Sequence, residues 1–234
     1  MLLESLETRR LYAVTVTEMY PGFYDVSGDN AADTITISVS QAEESFTLEG
    51  VTYSGLAYLF VHGNGGDDVI RVASIDGPGS IGASVTGDEG NDQISLNFDG
   101  GVWAGSGNDV LYLRDSFRGQ AYGESGNDQM YILGACYNAE INGGSGNDLI
   151  DCTSNYYSVT VRAGDGNDTV YGSAFNDQIY GDAGVDYLYG GGGDDAFYVF
   201  DGYHGMIDGG GGHDVIYTNG FSGTVVDVEE IYYF

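Results

Sequence analysis

The chain has 234 residues, of which 36 are acidic and only 6 basic, giving a formal net charge of −30; glycine contributes 40 residues and proline 2. High glycine without a Gly-X-Y period excludes collagen, and 42% apolar content with 20 tyrosines argues against a disordered tail. So negative a field makes nucleic acid and anionic membranes poor partners, and its self-repulsion calls for something cationic before the chain compacts.

In chain order, residues 1–24 read as an N-terminal segment with partly targeting-like character, although its apolar run is too short, and follows acids too closely, for a secretory signal peptide. Residues 25–62 are expected to form N-terminal capping turns, with a degenerate copy of a repeat at Asp33, an alternating run at 34–40 and little repeat character from Phe46 to Val61. From Gly63 to Tyr217 a nine-residue phrase close to G-G-x-G-x-D-x-U-x recurs, where U is a large apolar residue. Clear copies are G-G-S-G-N-D-L-I-D at 143–151, A-G-D-G-N-D-T-V-Y at 163–171, G-D-A-G-V-D-Y-L-Y at 181–189 and G-G-G-G-D-D-A-F-Y at 190–198. Residues 218–234 read as a C-terminal capping strand, since an open solenoid end exposes strand edges. The whole is expected to be one structural domain. No stretch is long and apolar enough to span a membrane.

A halophile-like acidic surface would scatter its acids. Here they recur at fixed places: Asp68, Asp92, Asp109, Asp128, Asp148, Asp168, Asp177, Asp186, Asp195 and Asp214, after the early copy at Asp33. Two positions after them stand Ile35, Ile70, Ile94, Leu111, Met130, Ile150, Val170, Ile179, Leu188, Phe197 and Ile216. Seven positions before them stand Val26, Val61, Val85, Val102, Ala121, Ile141, Val161, Val170, Ile179, Leu188 and Ile207. Both columns are apolar throughout, and the second is no part of the phrase. Strand alternation puts such residues on one face, so each column predicts an inward ladder of stacked parallel strands. At ~4.8 Å per turn, about ten turns make a rod of ~45–50 Å.

Spacing between the aspartates runs 24, 17, 19, 20 and 20 residues to Asp168, then 9, 9 and 9 to Asp195, then 19 to Asp214. A full turn takes about two phrases. Asp168 and Asp186 therefore belong to one edge, and Asp177, Asp195 and Asp214 to the other. Before Asp168 the return segments 116–120, 136–140 and 153–157 lack the glycines and the closing Asp. One long row and one short row are expected.

The phrase is identified as the RTX (repeats-in-toxin, hemolysin-type) calcium-binding nonapeptide, and the chain resembles that family firmly over 63–217 and more loosely over 29–234. The resemblance implies an all-β fold, a right-handed parallel β-roll or β-solenoid with calcium-binding glycine-rich turns, holding several Ca2+ ions. The chemistry agrees with it. Calcium takes six to eight hard oxygen ligands in irregular geometry, glycine permits the positive φ that aims carbonyls at an ion, and successive carbonyls of such a turn point to alternate sides. The family divides its ligands accordingly: positions one, three and five come from one turn, and positions two and four with the Asp from its neighbour.

Carried onto this chain, the candidate metal ligands are Asp68 and Asp92; Ala104, Ser106, Asn108 and Asp109; Gly123, Ser125, Asn127 and Asp128; Gly143, Gly144, Ser145, Gly146, Asn147 and Asp148; Ala163, Gly164, Asp165, Gly166, Asn167 and Asp168; Asp177; Gly181, Asp182, Ala183, Gly184 and Asp186; Gly190, Gly191, Gly192, Gly193, Asp194 and Asp195; and Gly210, Gly212 and Asp214. Ions are expected between paired turns, Asp109 with Asp128, Asp128 with Asp148, Asp148 with Asp168, Asp168 with Asp186, Asp177 with Asp195, and Asp195 with Asp214. Which turn of a pair supplies the odd positions depends on the winding direction and stays open. Some turns depart from the pattern. Phe175 occupies the glycine place before Asp177, Ala32 is expected to weaken the turn before Asp33 in the same way, and 202–205 has no closing Asp.

Other features carry weaker readings. Tyr112, Tyr131, Tyr171, Tyr180, Tyr189, Tyr198 and Tyr217 stand one step past an inward residue and are expected to face out as exposed aromatic ladders. These would serve as a contact surface for sugar or protein or simply stabilise the strands. The serine and asparagine row at turn positions three and five resembles ice-binding RTX domains, which carry threonine there. His62, His204 and His213 are too dispersed for a triad or a zinc site, and no hydrolase, zinc-protease or phosphate-loop motif occurs. A solenoid polysaccharide lyase would need a basic residue, for which Arg114 and Arg118 are the candidates. Cys136 and Cys152 are offset along the turn and are expected to be free thiols. The stretch 3–14 resembles the LEPR-XLL segment of many exported planctomycete-type proteins through Leu6, Glu7, Arg9 and Leu11, with Thr8 in place of the proline. The tail 226–234 resembles the acidic-then-apolar ending of type I secretion substrates.

These features read as a secreted or cell-surface bacterial protein without catalytic residues. Its function is calcium binding with calcium-dependent folding of a structural, adhesive or interaction module, whose partner is an extracellular glycan or protein. A polysaccharide-active solenoid enzyme and an ice-binding domain are the alternatives.

Overall fold

The computed structural model describes residues 14–77, 81–97, 99–115, 117–200, 205–220 and 222–234. The LEPR-XLL-like segment, His204 and most of the loop 202–205 lie outside them. Among the described residues every regular element is a strand. The strands form two 12-stranded sheets, and from Tyr58–His62 onward successive strands alternate between the two. The result is a parallel β-solenoid, as the period of the aspartates requires.

The two apolar columns form its core. In one sheet Val85, Val102, Ala121, Ile141, Val161, Ile179, Phe197 and Ile216 pair in register from coil to coil. In the other, Ile70, Ile94, Leu111, Met130, Ile150, Val170, Leu188 and Ile207 do the same. All are buried. A single coil would expose half of this ladder, so each is stable only against its neighbours. Where the return segments lack the phrase, Phe117, Cys136, Cys152 and Val159 fill the core in its place. Both cysteines are free and buried, and the Cys136 thiol donates to the Leu133 carbonyl at 3.4 Å.

The N-terminal end closes differently from the capping turns expected. Thr15–Tyr20 adds antiparallel to Phe23–Ser27, and Ser45–Leu48 with Val51–Ser54 folds as a hairpin onto Thr34–Ser40. Without the closely spaced glycines of the phrase, this segment reverses through short turns, with left-handed Gly22 and Gly50 at φ 83° and 82° in two of them, and covers the core with Phe46, whose ring stacks on Tyr53 at 4.7 Å between centroids. At the other end Glu230–Tyr233 continues the parallel ladder beside Val215–Thr218.

The tyrosine columns also need correction. Tyr112, Tyr131, Tyr171, Tyr180, Tyr189, Tyr198 and Tyr217 point outward but are only partly exposed, because they cover one another. Tyr180, Tyr198, Tyr217 and Tyr232 form a continuous stack with centroids 4.4, 5.1 and 5.5 Å apart, extended by the Arg162 guanidinium 4.1 Å from the Tyr180 ring.

Candidate metal centre

Each phrase turn joins a strand of one sheet to a strand of the other, and 143–148 shows the geometry. Gly144 and Gly146 take left-handed φ values of 106° and 133°. A side chain at Gly146 would be strained there, and its Cβ would run into the Gly126 carbonyl oxygen of the preceding turn. Position two tolerates more. Asn64, Asp88, Glu124 and Asp182 hold the same left-handed place without being glycine.

Carbonyls alternate in direction, and the alternation has a sense along the rod. The oxygens of Glu124, Gly126, Gly144 and Gly146, at positions two and four, point forward at the next turn. Position-three oxygens point back: Ser145 accepts from the Gly126 N–H at 2.8 Å and Asp165 from that of Gly146 at 2.7 Å. Position-one oxygens also point back, so the Gly143 carbonyl faces Asp128 Oδ2 across the site of Gly123, and the Ala163 carbonyl faces Asp148 Oδ2 across Gly143. The direction that spacing left open is thus decided. An N-terminal turn presents its position-two and position-four carbonyls and its Asp, and the following turn its position-one and position-three carbonyls.

The aspartates form a buried ladder along each edge. Asp68, Asp92, Asp109, Asp128 and Asp148 each donate a backbone N–H to Oδ1 of the next aspartate, at 2.7 to 2.8 Å. Asp168 does so to Asp186 at 3.0 Å. On the second edge Asp177 donates to Asp195 and Asp195 to Asp214, and the ladder ends on Glu229, which accepts from the Asp214 N–H at 2.6 Å. Oδ2 is another matter. In Asp68, Asp92, Asp109, Asp128, Asp148, Asp168, Asp195 and Asp214 it is buried with no hydrogen-bond partner. Buried polar atoms are nearly always satisfied, so a row of orphaned oxygens facing carbonyl oxygens calls for a cation. An all-oxygen donor set of this kind fits calcium and offers nothing to a soft metal.

Electrostatics agree. Burial, the largest cause, pushes Asp68, Asp109, Asp128, Asp168 and Asp195 up to about 7; accepted backbone hydrogen bonds oppose the rise and neighbouring carboxylates add to it. Asp92, Asp148 and Asp214 are raised too, again chiefly by burial.

The candidates from 104–109, 123–128, 143–148, 163–168 and 181–186 lie on one edge with Asp68 and Asp92, and those from 190–195 and 210–214 on the other with Asp177. Asp177 stands apart because its Oδ2 accepts the Ser173 N–H at 2.6 Å. In the first turn Ala31, and not Ala32, is the residue at the fourth place, and Asp33 Oδ2 accepts the Asp29 N–H at 2.7 Å. The forward-pointing carbonyls of Asp88, Gly90, Gly107, Glu124 and Gly126 were missed among the candidates; the alternation of carbonyls was the signal that names them. Serine at position three and asparagine at position five serve the winding. Asn91, Asn108, Asn127 and Asn147 each accept the backbone N–H of the next position-five asparagine. Arg118 lies 3.6 Å from Asp99 and over the Tyr137 ring, and Arg114 lies over Tyr112.

Comparison with known families finds the RTX calcium-binding nonapeptide repeat in four copies, at residues 138–151, 162–197 and 206–225. No curated protein and no solved structure matches the chain. The matched residues include the region where both edges carry aspartate turns, and its flanks. The chain is a bearer of RTX calcium-binding repeats, wound as a parallel β-solenoid.

Proposed function

We propose that calcium ions lie in two rows along the edges of the solenoid, between consecutive turns, and that their binding drives the chain to fold. The single observation that carries this reading is the row of buried, partnerless Oδ2 atoms from Asp68 to Asp168, repeated at Asp195 and Asp214. Without cations these carboxylates oppose the fold, in a chain whose net charge is already −30. Each ion would take the even carbonyls and the aspartate of one turn with the odd carbonyls of the next. Metal affinity then becomes folding free energy.

A chain of this kind stays open where calcium is scarce and winds up where it is millimolar. Extracellular modules bind calcium with Kd ~10⁻⁴–10⁻³ M, which suits a protein exported by bacteria and folded outside the cell. The finished rod acts there as a structural, adhesive or interaction module, with a glycan or another protein as its partner. Because the stacked tyrosines spend their ring faces on each other, partner contact falls to other surfaces.

Circular dichroism in chelator and in 10 mM calcium tests the coupling. The expected result is a β-sheet signal that calcium restores and chelator abolishes; an identical folded signal in both refutes it. Native mass spectrometry counts the ions, and binding to a glycan array tests the adhesive role.

A further inference from the structure

We infer that turns 28–33 and 172–177 are closed by protein in place of metal, and act as calcium-independent staples in the calcium rows. The inference rests on the calcium reading above and says which turns stand outside it. In 172–177 the Ser173 N–H donates to Asp177 Oδ2 at 2.6 Å and its hydroxyl to Oδ1 at 3.0 Å, while the Val159 N–H reaches Oδ1 at 2.8 Å. Both oxygens are satisfied. Ser173 Oγ in turn accepts from the Phe175 N–H at 3.1 Å, which shapes the turn.

Turn 28–33 occupies the Oδ2 of its aspartate in the same way with different residues. The Asp29 N–H donates to Asp33 Oδ2 at 2.7 Å, and Asp29 Oδ1 accepts from the Ala31 N–H at 2.8 Å. In both turns a short polar side chain at position two captures the N–H of position four, and position four is not glycine. Neither Ser173 with Phe175 nor Asp29 with Ala31 takes a positive φ, whereas Gly144 with Gly146 and Gly164 with Gly166 do. The contrast is physical. In the glycine type the position-four N–H goes to the following turn, as from Gly146 to Asp165, and the carboxylate keeps a bare oxygen. In the self-closed type a backbone N–H occupies that oxygen and sets a positive dipole end where a cation would sit.

The staples stand at the first turn of the long row and the first turn of the short one. Each offers a coil whose Asp Oδ2 already has a protein partner, from which the metal-dependent turns can stack. The experiment is ion counting by native mass spectrometry in saturating calcium, with thermal unfolding in calcium and in chelator. Asp195→Asn should bind fewer ions than the parent. Asp177→Asn should keep the parent's count and lower the melting temperature equally in calcium and in chelator, all samples carrying enough trimethylamine N-oxide to fold the chelated parent. Ser173→Gly with Phe175→Gly should gain one ion. Loss of an ion in Asp177→Asn, or an unchanged count in a folded Ser173→Gly/Phe175→Gly protein, overturns the inference. Should the double variant not fold, the Asp177→Asn count decides. A parent that binds no calcium defeats the reading of the previous section, and the equal melting shift of Asp177→Asn still tests this one.

Discussion

Asp128→Asn should change sign with calcium. Its Oδ1 accepts the Asp109 N–H at 2.8 Å, and its Oδ2 is buried without a partner beside the Gly143 carbonyl. An amide keeps the first bond and puts a donor where two oxygens now face each other. In chelator at pH 8 the substitution removes the cost of a buried charge. Burial first, then the Asp109 and Asp148 carboxylates, push Asp128 from 3.8 to about 7 against the pull of the Asp109 N–H. At ~1.4 kcal/mol per pH unit that gap is ~4 kcal/mol, and water and salt at the turn edge reduce it to roughly 2. With ~1 kcal/mol worth ~2–4 °C in a chain this long, the chelated variant should melt ~4–8 °C above the parent. In calcium the order reverses. A site filled at 100-fold above its Kd contributes ~2.7 kcal/mol, much of which the amide forfeits. The assay is thermal unfolding followed by circular dichroism, with equal trimethylamine N-oxide in all samples should the chelated parent be unfolded at every temperature. Destabilisation of the same size in both conditions would mean that Asp128 is only a hydrogen-bond acceptor, and the metal argument would fall.

Gly146→Ala should cost more than ~2 kcal/mol and weaken calcium binding, since the residue holds φ 133° against the Gly126 carbonyl, while Gly220→Ala, with open space around it, should be neutral in the same melts. Phe197→Ala, emptying a fully buried core position, should cost ~3–5 kcal/mol in calcium, read as a melting temperature lower by ~6–20 °C. The pH dependence follows from Asp68, Asp109, Asp128, Asp168 and Asp195 being raised to about 7 by burial. Between about pH 4 and 7 the folded chain binds more protons than the unfolded one, so these groups stabilise the chelated fold most below about pH 4 and cease to do so as pH rises through 7. Chelated protein should therefore melt higher at pH 5 than at pH 8, and calcium uptake at pH 6 should release protons measurable by calorimetry in buffers of different ionisation heat.

Much of this was legible in the chain because the governing interactions are local and repeated. The inward columns around Ile150 and Ile141 follow from two-residue alternation, and the edge to which Asp177 or Asp186 belongs follows from counting. At the N-terminus counting failed, since Phe46 and its hairpin close the core by antiparallel pairing with no periodic signal.

The order of residues by itself determined that the chain winds in parallel coils, that its acids lie in rows on two edges, and that glycine stands where a carbonyl of the neighbouring turn approaches. Only the tertiary structure decided which neighbour each oxygen faces. Asp177 and Asp195 occupy the same place in their phrases, yet Ser173 satisfies one carboxylate and the other keeps a bare, buried oxygen. That difference comes from the direction of a single N–H, which the backbone dihedrals of the stacked turn set and the spacing of aspartates cannot.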